Sequence, residues 1–265
     1  MELENKICLG VAGNFAYHLE QAGELEDFKD VITDEINAPK GIFPFYLPKG
    51  DSFLSIYPIG MDELNLPKYE ANAQVEPEII IDFEIIYKED KTVLELIAKR
   101  FTTFNDCTIR KDGAKKISEK KNWGKNSKGI STQWIDIDKF EEGGIMDNYH
   151  ICSFLKRDNK LYPYGVDAPL LGYSYFYSKL KNWLIDKMNN QLDKGVLENI
   201  SMHLKDCDYP THALISIGAT AYAEFGENNY LKSGDEIFLI SYDKRYSNGD
   251  LDISDDKIIL KQLVI

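Results

Sequence analysis

Disulfide and soft-metal chemistry have little to work with in this chain. Its four cysteines, Cys8, Cys107, Cys152 and Cys207, are scattered and form no C-x-x-C pair. They read as small buried hydrophobes in a reduced compartment, not as a disulfide framework. Histidine is equally sparse, and His150, His203 and His212 have no spacing that suggests a metal site. No apolar run is long enough to span a bilayer, and residues 1–6 lack the basic start and apolar stretch of a secretion signal. The expectation is a cytoplasmic protein. Positive charge is also scarce. With 31 Lys and Arg against 44 Asp and Glu, the net charge is −13, which argues against nucleic acid or an anionic membrane as the main partner.

What the chain does have is acid in an ordered setting. From Val75 to Ile85, the apolar residues Val75, Ile79, Ile81, Phe83 and Ile85 alternate with Glu76, Glu78, Asp82 and Glu84. Period-two alternation predicts a half-buried strand, on which residues two apart share a face. Glu76 and Glu78 therefore point together. A third acid, Asp106, stands in the segment Phe104-Asn105-Asp106-Cys107-Thr108-Ile109-Arg110. Three carboxylates brought close would repel unless a cation sat between them. An all-oxygen donor set suits a hard divalent ion, Mg²⁺ first and Mn²⁺ or Ca²⁺ next. Alone, the Glu-x-Glu pair is better read as a solvated strand face, as Asp82 and Glu84 are, and only its company in the chain favours a metal site. Cys107 is assigned to the core, because a strand turns it away from Asp106.

The remaining pattern is mostly extended. Residues 6–11 form a short apolar strand that runs into Gly10 and Gly13, and a helical segment follows with Phe15 and Leu19 on one face. Residues 37–67 are rich in Pro, Gly and aromatics, which predicts turns and extended segments. Residues 94–104 read as a short helix or a helix-to-strand transition. A basic island runs from Arg110 to Lys128, of which Lys115 through Lys121 read as a solvated loop. Residues 173–192 carry Phe176, Leu180, Trp183, Leu184 and Met188 at three-to-four spacing, the mark of an amphipathic helix. Further strands are predicted at 135–138, 149–155, 213–217, 236–241 and 257–264.

Taken in order, the motifs resemble the fumarylacetoacetate hydrolase superfamily. They are Gly10 to His18, Glu76-x-Glu78, Asn105-Asp106-x-Thr108-x-Arg110, Trp123 to Lys128, Ile215 to Thr220 and Leu231 to Ile237. Each is short, and their collinearity carries the resemblance. It implies an α+β fold, a mixed β-roll or β-sandwich of the fumarylacetoacetate hydrolase C-terminal domain type with few flanking helices. It also implies a single domain over 1–265, residues 1–70 packing onto it as an N-terminal segment, and a homodimer. By the same resemblance Glu76, Glu78 and Asp106 hold the metal, and His18 and Lys128 are catalytic. Asn14, Arg110, Gly218 and Thr220 would line the substrate site.

The activity so implied is that of a metal-dependent hydrolase or lyase acting on a small anionic α-keto acid or 1,3-diketo acid. It would cleave a C–C bond in acylpyruvate fashion, or decarboxylate or tautomerise through a metal-stabilised enolate. The chain departs from the family pattern in four places. Gln21 stands where a Glu would pair with His18; a Gln carbonyl orients the ring but supplies no charge. Gly13 replaces an Arg, and Gly218-Ala219-Thr220 replaces Gly-Thr-Pro. Lys128 lies one residue further from Trp123 than in many relatives, leaving Lys125 as its fallback. The Gln21 and Ala219 changes favour the alternative, a noncatalytic, metal-stabilised binding protein that retains the scaffold; the intact Glu76, Glu78, Asp106 and Lys128 oppose it.

Overall fold

The acid-rich alternating stretch becomes Pro77–Tyr87, an interior strand of an eight-stranded sheet. The computed structural model describes residues 3–15, 18–21, 23, 25–28, 31, 33, 35, 37–111, 113–252 and 257–265, the side chains of 18, 19, 25 and 27 excepted. Across the larger sheet the order is Gly41–Tyr46, Ile7–Ala12, His212–Ser216, Pro77–Tyr87, Val93–Asn105, Lys128–Ile130 and Ile59–Gly60. Ile135–Asp136 also pairs with Val93–Asn105. Two pairings are parallel, Ile7–Ala12 with His212–Ser216 and Ile59–Gly60 with Lys128–Ile130. The second sheet runs Lys160–Pro169, Tyr149–Arg157, Glu236–Asp243, Lys257–Val264 and Glu63–Leu64. A two-stranded ribbon joins Asn72–Gln74 to Thr108–Arg110. This is the mixed-sheet α+β architecture with few helices that the sequence led us to expect.

The amphipathic segment forms the helix Tyr177–Asn190, about four turns by the usual repeat. Tyr177, Leu180, Leu184 and Met188 are buried along one side. At its end the Gln191 amide exchanges hydrogen bonds with Ile42, accepting from N at 2.9 Å and donating to O at 2.7 Å. The helix is thereby fixed to the edge strand of the larger sheet. No helix among the described residues is long and apolar enough to cross a membrane.

Two expectations need correcting. Pro77–Tyr87 is not half-buried: every residue from Pro77 to Phe83 is buried. Ile79, Ile81, Phe83 and Ile85 face the main core, while Ile80 joins a second cluster with Phe43, Phe45, Phe104 and Leu214. Asp82, read as solvated, is covered too. Its Oδ2 accepts from Lys6 Nζ at 2.5 Å and Arg100 Nε at 3.0 Å, so the buried charge is paired. The second correction concerns residues 94–104. They lie in the thirteen-residue strand Val93–Asn105, where pairing with Pro77–Tyr87 overrides the helix preference of Leu94, Glu95, Leu96 and Ala98.

Candidate metal centre

A break in one hairpin assembles the three acids. Pro77–Tyr87 and Val93–Asn105 pair with Pro77 opposite Asn105 and Glu78 opposite Phe104. Beyond residues 75–76 and 106–107 the same two chain segments pair again, Gln74 opposite Thr108. At the break Asp106 N–H still donates to Glu76 O at 3.0 Å, and Glu76 N–H donates to Asn105 Oδ1 at 3.3 Å. Interrupted pairing of this kind re-aims side chains out of the ladder, a device common beside active sites. Here Glu76, Glu78 and Asp106 each offer a carboxylate oxygen, all within 4.8 Å of one another. They are 2%, 2% and 0% exposed.

Three cations answer the three acids. Arg110 Nη1 lies 3.0 Å from Glu76 Oε1, while its Nε donates to Gln74 Oε1 at 2.7 Å and its Nη2 to Tyr222 Oη at 2.8 Å. Lys128 Nζ is 3.0 Å from Asp106 Oδ1 and also donates to the Cys107 carbonyl. It is Lys128, not the exposed Lys125, that reaches the acids. Lys121 Nζ bridges Glu76 Oε2 at 2.5 Å and Asp106 Oδ2 at 2.6 Å. Burial and the neighbouring Asp106 and Glu76 charges push the Glu78 carboxyl well above its ordinary range, although Lys121 and the Gly218 N–H oppose the shift. Burial also lowers the Lys128 ammonium, with Asp106 pulling the other way.

Lys121 is the site residue that sequence reasoning missed. Two contacts fix it inward. Ile117, four residues earlier, is buried in the second apolar cluster, and the Asn122 amide donates to Phe45 O at 3.0 Å and Ile56 O at 2.9 Å. The only local signal was an apolar Ile117 inside a basic run. Lys120 is buried as well, whereas Lys115 is exposed and Lys116 half-buried.

The other expected site residues divide. Gly218 N–H donates to Glu78 Oε2 at 2.9 Å, from a backbone with φ of 113°. Asn14 is fully buried beneath it; its amide donates to Tyr175 O at 2.9 Å and Ile217 O at 2.8 Å, and its Oδ1 accepts from Tyr175 N at 2.8 Å. Asn14 therefore holds the floor of the site together. Thr220 N–H donates to Pro77 O at 3.1 Å. His18 begins the short helix His18–Gln21, and its side chain lies outside the described residues. Gln21 clasps the Tyr222 backbone, accepting from N at 2.9 Å and donating to O at 3.2 Å. A Cβ added at Gly218 would stand 2.9 Å from Asn14 Cβ. Gly218→Ala is expected to destabilise the fold by about 1–3 kcal/mol, through this contact and the left-handed backbone. A shift in the denaturant midpoint reads it directly.

The cleft that reaches Glu76 and Glu78 is small, about 20 Å³, and is lined also by Gly13, Phe28, Phe43, Ile117, Lys121 and Ala219. A far larger cavity of 630 Å³ lies elsewhere, between Lys40, Lys115, Tyr175, Trp183 and Leu197. None of the three acids lines it, so volume and chemistry point to different places. Glu76 and Glu78 open onto the small cleft.

The fold has relatives among solved structures. The chain superposes on Cg1458 solved with inhibitor at a TM-score of 0.58 and 15% identity, covering 98% of this chain and 77% of that one. It superposes on 2-keto-3-deoxy-D-arabinonate dehydratase complexed with magnesium and 2,5-dioxopentanoate at 0.54 and 12%, covering 97% and 72%. A putative fumarylacetoacetate hydrolase family protein from Yersinia pestis CO92 gives 0.52 and 12%, covering 98% and 93%. At such identities the likeness is one of fold, and the fold is that of the fumarylacetoacetate hydrolase superfamily. By sequence the chain belongs to a family of unknown function, DUF5718, whose profile matches residues 24–260. No curated protein matches it.

Proposed function

We propose that this protein is a divalent-cation-dependent enzyme acting on a small anionic α-keto acid or 1,3-diketo acid. The reaction would be hydrolytic C–C cleavage of the acylpyruvate type, or a decarboxylation or tautomerisation. The convergence of Glu76, Glu78 and Asp106 within 4.8 Å, all buried, carries this reading. The residues fit the ion they are assigned. Their donors are hard oxygens, and burial, with the neighbouring Asp106 and Glu76 charges, holds the Glu78 carboxyl well above its ordinary range, a shift that an added cation would oppose. One structural neighbour, the dehydratase complexed with magnesium and 2,5-dioxopentanoate, supports both the metal and the keto-acid class.

A bound Mg²⁺, Mn²⁺ or Ca²⁺ would supply Lewis-acid stabilisation of negative charge developing on a substrate oxygen. The chain's own residues do the rest. Arg110 and Lys128 hold Glu76 and Asp106 in place from outside and balance their charge. The Gly218 N–H fixes the Glu78 carboxylate, and Asn14 fixes the turn that presents it. His18 is the proposed acid–base group. Homodimer assembly is part of the same proposal.

Gln21 favours a second reading, the noncatalytic binding protein, because its amide clasps the Tyr222 backbone and it brings no charge to His18. Turnover of an acylpyruvate and oxaloacetate panel with Mg²⁺, measured beside calorimetric metal binding, separates the two. The enzyme reading expects turnover and metal binding in the natural chain, with both lost in Glu76→Ala. Metal binding with no turnover across the panel would choose the binding protein. Full turnover in His18→Asn would remove His18 from the chemistry.

A further inference from the structure

The Lys121 ammonium stands against the oxygens that a metal would need. Nζ is 2.5 Å from Glu76 Oε2 and 2.6 Å from Asp106 Oδ2. The second oxygens of the same two acids already face Arg110 and Lys128, each at 3.0 Å. All four oxygens of the pair thus have a cation of the chain beside them before any ion arrives. Hard cations ligate carboxylate oxygen at about 2.0–2.6 Å. An ammonium and a divalent ion sharing these oxygens at such distances would repel each other strongly.

We infer that Lys121 competes with the divalent cation for Glu76 and Asp106, so that the metal loads only as the Lys121 ammonium swings out. The inference rests on the metal centre proposed above. Lys128 is fully buried and held at Cys107 and Asp106, and Arg110 is anchored at Gln74 and Tyr222. Lys121 differs from both in lining the small cleft, together with Phe43 and Gly13, so its side chain borders open space. In the bridging position its Nζ also lies 5.1 Å from the Phe43 ring centroid. With Lys121 turned inward the cleft, about 20 Å³, has room for roughly one water. The displaced ammonium would open it to an anionic substrate and remain beside that substrate's path.

Manganese is the probe. Mn²⁺ is titrated into chelator-stripped natural protein and into Lys121→Met, Lys121→Gln and Lys121→Arg, with affinity read by calorimetry and by the electron spin resonance of free Mn²⁺. Removal of the charge in the Met and Gln variants is expected to tighten Mn²⁺ binding at least tenfold. The Arg variant, which keeps the charge, should bind no more tightly than the natural chain. Equal or weaker binding in the neutral variants overturns the competition and leaves the metal centre standing. Absence of binding in the natural chain and in every variant overturns the centre and this inference together. A measurement that needs no variant is the position of Lys121 in crystals of the natural chain grown with and without Mn²⁺. Nζ should leave Glu76 and Asp106 when the ion is present; an ammonium still bridging them beside a bound ion contradicts the inference.

Discussion

Glu78→Gln is expected to leave the metal-free protein at least as stable as the natural chain while weakening divalent-cation binding by roughly 100-fold or more. Even partners one shell removed from a metal typically cost 10–100-fold when lost, so a direct ligand should exceed that. The stability half follows from charge. Glu78 is buried beside two other carboxylates, and burial followed by the Asp106 charge pushes its carboxyl well above 4.5. A glutamine is nearly isosteric, accepts the same Gly218 N–H, and carries no charge to desolvate. Between 4.5 and the raised value the folded protein binds a proton at Glu78 that the unfolded chain has released. Stability in the metal-free state therefore falls as pH rises through that window, by up to about 1.4 kcal/mol per pH unit. Denaturant titrations of both proteins across pH isolate this group. The natural chain should lose stability relative to Glu78→Gln as pH rises, and added Mg²⁺ should reverse the gap.

Asp106→Ala is expected to behave in the opposite way and destabilise the metal-free fold by about 3–5 kcal/mol, the usual cost of breaking a buried ion pair from one side. Asp106 is the partner of both Lys121 and Lys128, whose side chains are 5% and 0% exposed. Without it, burial acts on Lys128 with less opposition, and its ammonium falls further below 10.5. A buried base so lowered binds fewer protons folded than unfolded, so the variant should regain stability as pH rises toward that value. Two carboxylates of one triad thus carry opposite stability effects. Thermal and denaturant midpoints of the two variants, measured side by side without metal, test the charge assignment. A destabilised Glu78→Gln together with a neutral Asp106→Ala would refute it.

The acids were legible in the sequence because a strand obeys a local rule. Alternation from Val75 to Ile85 predicted Glu76 and Glu78 on one face, and they do meet. Glu76, however, stands in the break before Pro77, so the interrupted pairing brings it there. Asp106 lies just past the end of the partner strand. The strands 257–264 and 149–155 were equally plain, being apolar runs whose neighbours do not contradict them. What escaped notice was set by contacts distant in sequence. Lys121 faces inward because Asn122 is fastened to Phe45 and Ile56, which no window around residue 121 contains. Asp82 is buried because Lys6, seventy-six positions away, lies against it. Residues 94–104 have helical composition and become a strand only because Pro77–Tyr87 supplies a partner. In each case tertiary pairing decided against the local pattern.

An anomalous-difference map from crystals of the natural protein soaked in Mn²⁺ bears most directly on the central claim. A single strong peak within ligand distance of Glu76, Glu78 and Asp106 oxygens is the expected result. A peak elsewhere, or none at these three carboxylates at millimolar Mn²⁺, would contradict it.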